Sequence, residues 1–294
     1  VIYAELLRNA CDMCSGAQCA HANALVQRLL LDNGYGWQEK YNGDRRVVEK
    51  TTAPNGTVRI VDYNRRGDRG KGLSPEIIAA LKKHPLYQFV IDCEFVGKGI
   101  HESKLHVFDT LHLGDHNVVN EKYRTRLDYL HAALDGFHPL VAPAYTAFTP
   151  EEKLALYERL QAEFAEGFVM KDLNARYRES NRQGTARWNY KYKFVKTLDA
   201  VVIGNSTERD PKGVLRNSVR LGLYMPNGML KDICGATKKS SFVLKPGDVV
   251  ELAYLCGTIS LDVVEPRILR PRDDKRRQDC TIDQIIVNKN WRKS

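Results

Sequence analysis

The nine residues Trp37-Gln38-Glu39-Lys40-Tyr41-Asn42-Gly43-Asp44-Arg45 constrain this chain more than any others. Asn-Gly calls for a tight turn, because glycine lacks a side chain to resist the backbone and asparagine hydrogen-bonds neighbouring turn amides. Lys40 stands two residues before that pair and Arg45 two residues after it, so the turn carries both cations into one neighbourhood. Two readings are open. One is a solvated hairpin edge; the other is an amine nucleophile with a phosphate-binding cation beside it. The rest of the chain decides between them.

The spacing of Leu25, Leu29 and Leu30 predicts a helix over 22–32, closed by Gly34 as a C-terminal cap. Residues 47–50 and 58–61, joined by Pro54-Asn55-Gly56, read as an antiparallel hairpin that runs out at Asn64-Arg65-Arg66-Gly67. Ser74-Pro75-Glu76 opens a short helix to His84. Residues 89–96 and 105–109 are β-prone runs with acidic groups inside them. A helix is expected over 121–134, a strand over 140–145, and a second helix to Glu163, opened by the capping box Thr149-Pro150-Glu151-Glu152. Residues 188–194 alternate so that Lys191 and Lys193 share one face while their aromatic neighbours face the core. From Leu198 the texture changes to short strands broken by turns, about five in under about a hundred residues, which suggests a small barrel of the oligonucleotide-binding type. The boundary is placed there, giving domains over 1–197 and 198–294, with a basic segment over 267–277.

At 294 residues, 43% apolar and 28% charged, the chain is long enough for two cored domains. Its formal charge of +9 favours a polyanionic partner, since cations that neutralise phosphates release condensed counterions. No apolar run is long enough to cross a bilayer and no leader pattern precedes residue 20, so an intracellular protein without membrane contact is expected. Seven cysteines, four of them scattered singly, fit a reducing compartment. Cys11, Cys14, Cys19 and His21 offer three thiolates and an imidazole, but their spacing matches no established zinc module and also suits a loop with free thiols.

In their order, these segments resemble the covalent nucleotidyltransferase superfamily of ATP-dependent DNA ligases, RNA ligases and mRNA capping enzymes. Lys40 to Arg45 is similar to KxDGxR, Asn64 to Gly67 to SRxG, and Asp92-Cys93-Glu94-Phe95-Val96 to DGEhV. Phe108-Asp109-Thr110-Leu111 resembles FDhL, Glu166 to Lys171 EGhVhK, Lys191-Tyr192-Lys193 KxK, and Arg272-Asp273-Asp274-Lys275 RxDK. The likeness covers residues 37–275 and looks most like the compact viral and bacterial DNA ligases. It implies an α+β fold: an ATP-grasp-like adenylation (nucleotidyltransferase) domain of antiparallel sheets and helices, followed by an OB-fold barrel. It implies ATP and Mg²⁺ or Mn²⁺ as cofactors and nicked duplex DNA as partner. A monomer is expected in the cytoplasm, the nucleoid or a virus-infected cell, acting in DNA replication, repair or recombination. Asn42 stands where DNA ligases carry aspartate, which keeps an RNA or RNA/DNA-hybrid ligase open as an alternative, beside a capping-type guanylyltransferase.

The resemblance also assigns roles. Lys40 attacks the α-phosphate of ATP, giving lysyl-AMP and pyrophosphate, with Arg45, Arg65, Lys191 and Lys193 crowding positive charge around the amine and favouring its neutral form. Lys191 and Lys193 stabilise charge on phosphate oxygens; Glu94 and Glu166 are the metal ligands, Glu94 also contacting the ribose. Phe108 stacks on the base, Gln38 and the backbone of Glu39 read the adenine edge, and Arg45 and Arg65 grip the 5′-phosphate of the nick. Arg272 and Lys275, far along the chain, orient pyrophosphate only if the second domain swings over the nucleotide.

Overall fold

A computed structural model describes residues 7–9, 20–97, 103–177, 186–206, 213–214 and 216–288. The chain divides into two compact units, Val1–Lys193 and Phe194–Lys293. The described elements of the first are β1 (Leu7–Asn9), α1 (Ala20–Leu30), β2 (Tyr35–Glu39), β3 (Asp44–Thr52), β4 (Val58–Asn64), α2 (Pro75–Lys83), β5 (Phe89–Val96), β6 (Lys104–Leu113), β7 (His116–Asn117), α3 (Tyr123–Leu134), β8 (Val141–Pro143), β9 (Thr146–Ala147), α4 (Pro150–Ala162), β10 (Gly167–Asp172) and β11 (Ala186–Lys193). They form two sheets. One runs β1-β11-β10-β2-β9; the other runs β4-β3-β5-β6-β7 with β8 added alongside β6. Pairing is antiparallel except for β1 with β11 and β8 with β6.

Strand alternation sorts each sheet into a packing face and a polar face. In the first sheet Trp37, Phe168 and Tyr192 stack in a row at 4.6 and 5.1 Å, and Tyr157 of α4 meets Phe168 edge-on at 5.9 Å. Gln38, Gly167, Lys191 and Lys193 alternate with those rings and therefore lie on the opposite face. In the second sheet Val48, Ile91, Cys93, Leu105 and Val107 pack against Ile77 and Leu81 of α2 and Leu127 and Leu130 of α3. Each such buried aliphatic side chain stabilises the fold by roughly 1.5–3 kcal/mol. The alternate positions Arg45, Asp92, Glu94 and His106 fall on the other face.

Two of the three local capping signals operate as the sequence reading has them. Ser74 accepts from the amide of Ile77 at 3.4 Å, and Thr149 and Glu152 form the reciprocal capping box at 3.2 and 3.0 Å. Gly34 does not cap α1: it has no left-handed φ, and the helix end is held from α4. Lys153, fully buried, donates to the carbonyls of Leu29, Leu30 and Asp32 at 3.2, 3.4 and 2.7 Å, replacing the glycine cap with an ammonium at the negative end of the helix.

The second unit contains β12 (Lys196–Asn205), β13 (Ser218–Tyr224), β14 (Leu230–Thr237), β15 (Val249–Tyr254) and β16 (Arg267–Pro271), an antiparallel sheet ordered β14-β13-β12-β15-β16. Its core is built from Leu198, Val202, Val219, Leu221, Val250, Leu252 and Ile268. Register shifts in the β12/β13, β13/β14 and β15/β16 ladders mark bulges, which bend and coil strands. A closed barrel was expected; among the described residues the strand path does not return on itself. The segment leading into β16 does touch β14, where Val263 donates to the carbonyl of Ile233 at 3.1 Å. Part of the basic 267–277 segment forms strand β16.

The fold is thus α+β with predominantly antiparallel sheets. No described helix is long and apolar enough to cross a membrane. Cys11, Cys14 and Cys19 lie outside the described residues, as does the side chain of His21. No group of three or more His, Cys, Asp or Glu side chains is placed to hold a metal among the described residues.

Candidate active site

Lys40 occupies the crossing from β2 in the first sheet to β3 in the second, so the Asn42-Gly43 turn joins two sheets and is not a hairpin within one. Its amide donates to the carbonyl of Gly167 at 3.0 Å. Two contacts pin the crossing to the second sheet. Tyr41 stacks on His106 of β6 at 3.8 Å, with burial lowering that imidazole to about 4 and keeping it neutral. Gly43 presses on β5 so closely that a Cβ there would lie 2.4 Å from the carbonyl oxygen of Phe95.

The Lys40 ammonium lies 2.7 Å from Glu166 Oε1, and Lys193 Nζ lies 2.8 Å from the same oxygen, with the Glu166 side chain only 3% exposed. Glu166 reaches this position because Gly167 opens β10 at φ 150°, where an added Cβ would fall 2.0 Å from the carbonyl oxygen of Tyr192. Lys191, two residues before Lys193, shares its face and pairs across to Val169. The charge nearest Lys40 is therefore a carboxylate shared between two ammonium groups, where the sequence reading has Glu166 as a metal ligand and cations around the amine.

Arg45 and Glu94 face each other in register across β3 and β5. Arg45 grips Asp92 with both arms of its fork, Nε to Oδ1 at 2.9 Å and Nη2 to Oδ2 at 2.6 Å, and the hydroxyl of Tyr177 donates to the same Oδ2 at 2.8 Å. Burial pushes the Glu94 carboxyl up to about 7; Lys40 and Arg45 oppose that rise while Glu166 and Asp92 add to it. The guanidinium carbon of Arg45 lies 5.1 Å from the centre of the Phe108 ring, and Lys171 Nζ lies 5.2 Å from it. Phe108 is accordingly not a core residue but half-buried among cations.

Below Phe108 runs a buried network. Lys171 reaches Asp109 at 3.5 Å and stands 3.9 Å from the Tyr123 ring; Arg126 clamps Asp109 at 2.8 and 2.9 Å; the Tyr123 hydroxyl meets the Phe108 carbonyl at 2.8 Å. Gln38 is buried with its amide engaged at both ends, by Thr146 at 2.8 Å and Tyr123 at 3.0 Å. The Glu39 backbone pairs with Phe168, and its side chain approaches Arg159 at 3.5 Å, while burial raises its carboxyl.

The structure therefore brings together Gln38, Glu39, Lys40, Arg45, Glu94, Phe108, Glu166, Lys191 and Lys193 on facing strands of the first unit. Arg65 is exposed on the turn after β4, one residue beyond the Arg46–Asn64 pair of the β3/β4 ladder, and that turn is shaped by Asn64, whose side chain accepts from the amides of Arg66 and Asp68 at 2.7 and 3.2 Å. Arg272 and Lys275 belong to the second unit. Arg272 binds Asp274 through two 2.8 Å bonds and Asp199 at 2.9 Å, which holds Asp274 down at about 2, and Lys275 lies 3.7 Å from Asp199. Tyr123, Arg126 and Tyr177 escaped the sequence reading, and Asp92 entered it only as a member of the DGEhV-like element, with no role of its own. Only Arg126 left a trace, a charged residue one position from Leu127 on a helix packed against the core.

Two ammonium groups, a guanidinium, a half-buried ring and two acidic oxygen donors at one crossing suit a nucleoside triphosphate. The two carboxylates also fit a hard divalent cation, because Glu94, raised by burial, makes no ion pair with a described residue and is raised further by the charge of Glu166, so a cation between them would relieve both.

Comparison with known proteins bears first on the fold and then on one stretch of the chain. The ligase domain of M. tuberculosis LigD shares 17% identity over 95% of this chain and 98% of its own, with a TM-score of 0.51. A Lig E DNA ligase shares 15% identity over 92% of this chain and 100% of its own, with a TM-score of 0.61, and Pmar-Lig_Pre 14% over 94% and 68%, with a TM-score of 0.65. The fold is that of DNA ligase nucleotidyltransferase domains. Residues 98–193 match the ATP dependent DNA ligase domain family, so the chain carries the domain of an enzyme, as the motif resemblance implied. No curated protein matches the sequence.

Proposed function

We propose that the protein is an ATP-dependent DNA ligase that seals 3′-OH/5′-phosphate nicks in duplex DNA through a lysyl-AMP intermediate on Lys40. The observation that carries this reading is the sharing of one buried Glu166 oxygen by Lys40 and Lys193 at the crossing between the two sheets. A lysine on an ordinary solvated hairpin has no such partner.

In the first step the Lys40 nitrogen, having given up its proton, bonds to the α-phosphorus as the bond to pyrophosphate breaks. Lys191 and Lys193 hold the phosphate oxygens, Phe108 supports the base, and Glu39 presents its backbone to the adenine edge, with Gln38 braced behind it. Glu94 and Glu166 would hold magnesium or manganese, which when bound neutralises phosphate charge. In the second step the nick's 5′-phosphate oxygen takes the adenylyl group and Lys40 leaves; Arg45 and Arg65 grip that phosphate. In the third, the 3′-hydroxyl oxygen attacks the 5′-phosphorus and AMP departs.

The second unit is assigned as an OB-type module acting as a DNA clamp, supported by its coiled five-stranded sheet and the Val263–Ile233 contact toward closure. Arg272 and Lys275 act on the pyrophosphate in the first step, supported by their place in an RxDK element. Incubation with labelled ATP is expected to leave acid-labile, base-stable label on the wild type and none on Lys40→Ala; label persisting in that variant overturns the reading. GTP in place of ATP tests the capping-type alternative. A panel of DNA, RNA and mixed nicks tests whether Asn42 marks an RNA-joining enzyme.

A further inference from the structure

We propose that Tyr177, which lies outside every motif of the chain, is a positioning residue for Arg45, acting through Asp92, and thereby sets how tightly a 5′-phosphate end is gripped. This rests on the proposed ligase reading and deepens it.

Asp92 is fully buried on β5, and its two oxygens are committed. Oδ1 accepts from Arg45 Nε at 2.9 Å; Oδ2 accepts from Arg45 Nη2 at 2.6 Å and from the Tyr177 hydroxyl at 2.8 Å. Because a guanidinium is planar, fixing its Nε and Nη2 edge also fixes the direction of Nη1. That plane is set 5.1 Å from the Phe108 ring, beside the proposed base-stacking face. The orientation of Arg45 therefore depends on that of the Asp92 carboxylate, which can still turn about its Cβ–Cγ bond. Tyr177 supplies a second hydrogen bond to Oδ2, which opposes this rotation.

Tyr177 is itself held. Its amide donates to the carbonyl of Val119 at 3.3 Å, and its ring lies 5.6 Å from the Arg126 guanidinium that Asp109 clamps in both arms. Burial, reinforced by Asp92, raises the hydroxyl well above its ordinary range, so it remains a donor. The hydroxyl thus links a rigid network under Phe108 to the cation that meets the nick.

The test uses Tyr177→Phe in the full chain, which removes one oxygen and leaves the ring packed. Three quantities are read: labelling of Lys40 by ATP, sealing of a pre-adenylated nick, and the ratio of affinities for nicks with a 5′-phosphate and a 5′-hydroxyl. A lost hydrogen bond to a charged group predicts a fall in that ratio of about tenfold, with labelling changed less than about twofold. In an Asp92→Ala background, Tyr177→Phe should have no further effect on the ratio, since the link is already cut. An unchanged ratio, an equal loss of labelling and discrimination, or full additivity of the two substitutions overturns the relay. Wild-type protein that takes no label sinks the ligase reading and the relay with it; a wild type that labels and discriminates beside an unaltered variant sinks the relay alone.

Discussion

Removing the charge of Glu166 is the perturbation that asks most of this site. Lys40 and Lys193 approach one oxygen at 2.7 and 2.8 Å, so their nitrogens are at most about 5.5 Å apart, and at an effective dielectric of about 20 their mutual repulsion is about 3 kcal/mol. Both lysine side chains are roughly a fifth exposed, so screening reduces that figure to about 2 kcal/mol. Glu166→Gln keeps the shape and leaves the repulsion uncompensated. We expect the variant to lose about 2–4 kcal/mol of unfolding free energy, in the range for breaking a buried pair by deleting one partner. Adding Lys193→Met should then restore about 1–2 kcal/mol, although the same substitution destabilises the wild type, because in the variant it removes an unopposed charge. Urea unfolding followed by tryptophan emission measures the cycle, with Trp37 stacked on Phe168 as the reporter in this unit. Neither variant should accept label from ATP. If the double variant is no more stable than Glu166→Gln alone, the two ammonium groups do not depend on a common carboxylate and the electrostatic account of the site fails.

Three further outcomes are expected. Glu94 is raised by burial from its ordinary 4.5 to about 7, so the fold holds its proton more tightly than the unfolded chain does. The associated stability is fully present below about 4.5 and is lost as pH rises through about 7, a span of about 2 kcal/mol after allowance for partial exposure. Glu94→Gln should therefore match the wild type near pH 4.5 and exceed it by about that amount at pH 8 in urea unfolding; a pH-independent difference contradicts this. Lys153→Met removes the ammonium from three helix-end carbonyls, and should cost about 2–3 kcal/mol and speed hydrogen exchange selectively in the last turn of α1. Gly167→Ala drives a Cβ toward the Tyr192 carbonyl and should cost at least about 3 kcal/mol; an unshifted urea midpoint would show that β10 and β11 are not packed as described.

What was legible in the sequence was local. The caps at Ser74 and Thr149 depend on residues three positions apart, and the hairpin of β3 and β4 depends on its own turn. The faces of β11 follow from alternation alone, which puts Lys191 and Lys193 together and Tyr192 against the core. What was hidden was every partnership between distant segments. Gly34 is placed well for a cap, but a buried lysine from α4 takes the carbonyls, and nothing near Gly34 announces it. Asn42-Gly43 specifies a turn and says nothing about which sheet the next strand joins. Asp92 reads as a motif member, yet its use as the anchor of Arg45 depends on Tyr177, whose own neighbours in sequence carry no hint of that contact.

The same distinction explains why Lys40, the proposed nucleophile, stands at a crossing rather than on a hairpin. On a hairpin, Lys40 and Arg45 would share one sheet and the residues able to meet them would come from adjacent strands of that sheet. Here β2 ends beside β10 and β11, which supply Glu166, Lys191 and Lys193, while β3 begins beside β5, which supplies Asp92 and Glu94, with Phe108 one strand further. The six residues from Lys40 to Arg45 therefore bridge a cluster built around the amine and one built around the guanidinium. The close contact at Gly43 and the Tyr41–His106 stack hold the two clusters in fixed relation, since a bulkier residue at 43 would push the crossing off β5. A reaction that passes one adenylyl group from an amine to a second phosphate needs both clusters held at once, and a single sheet face would not provide them.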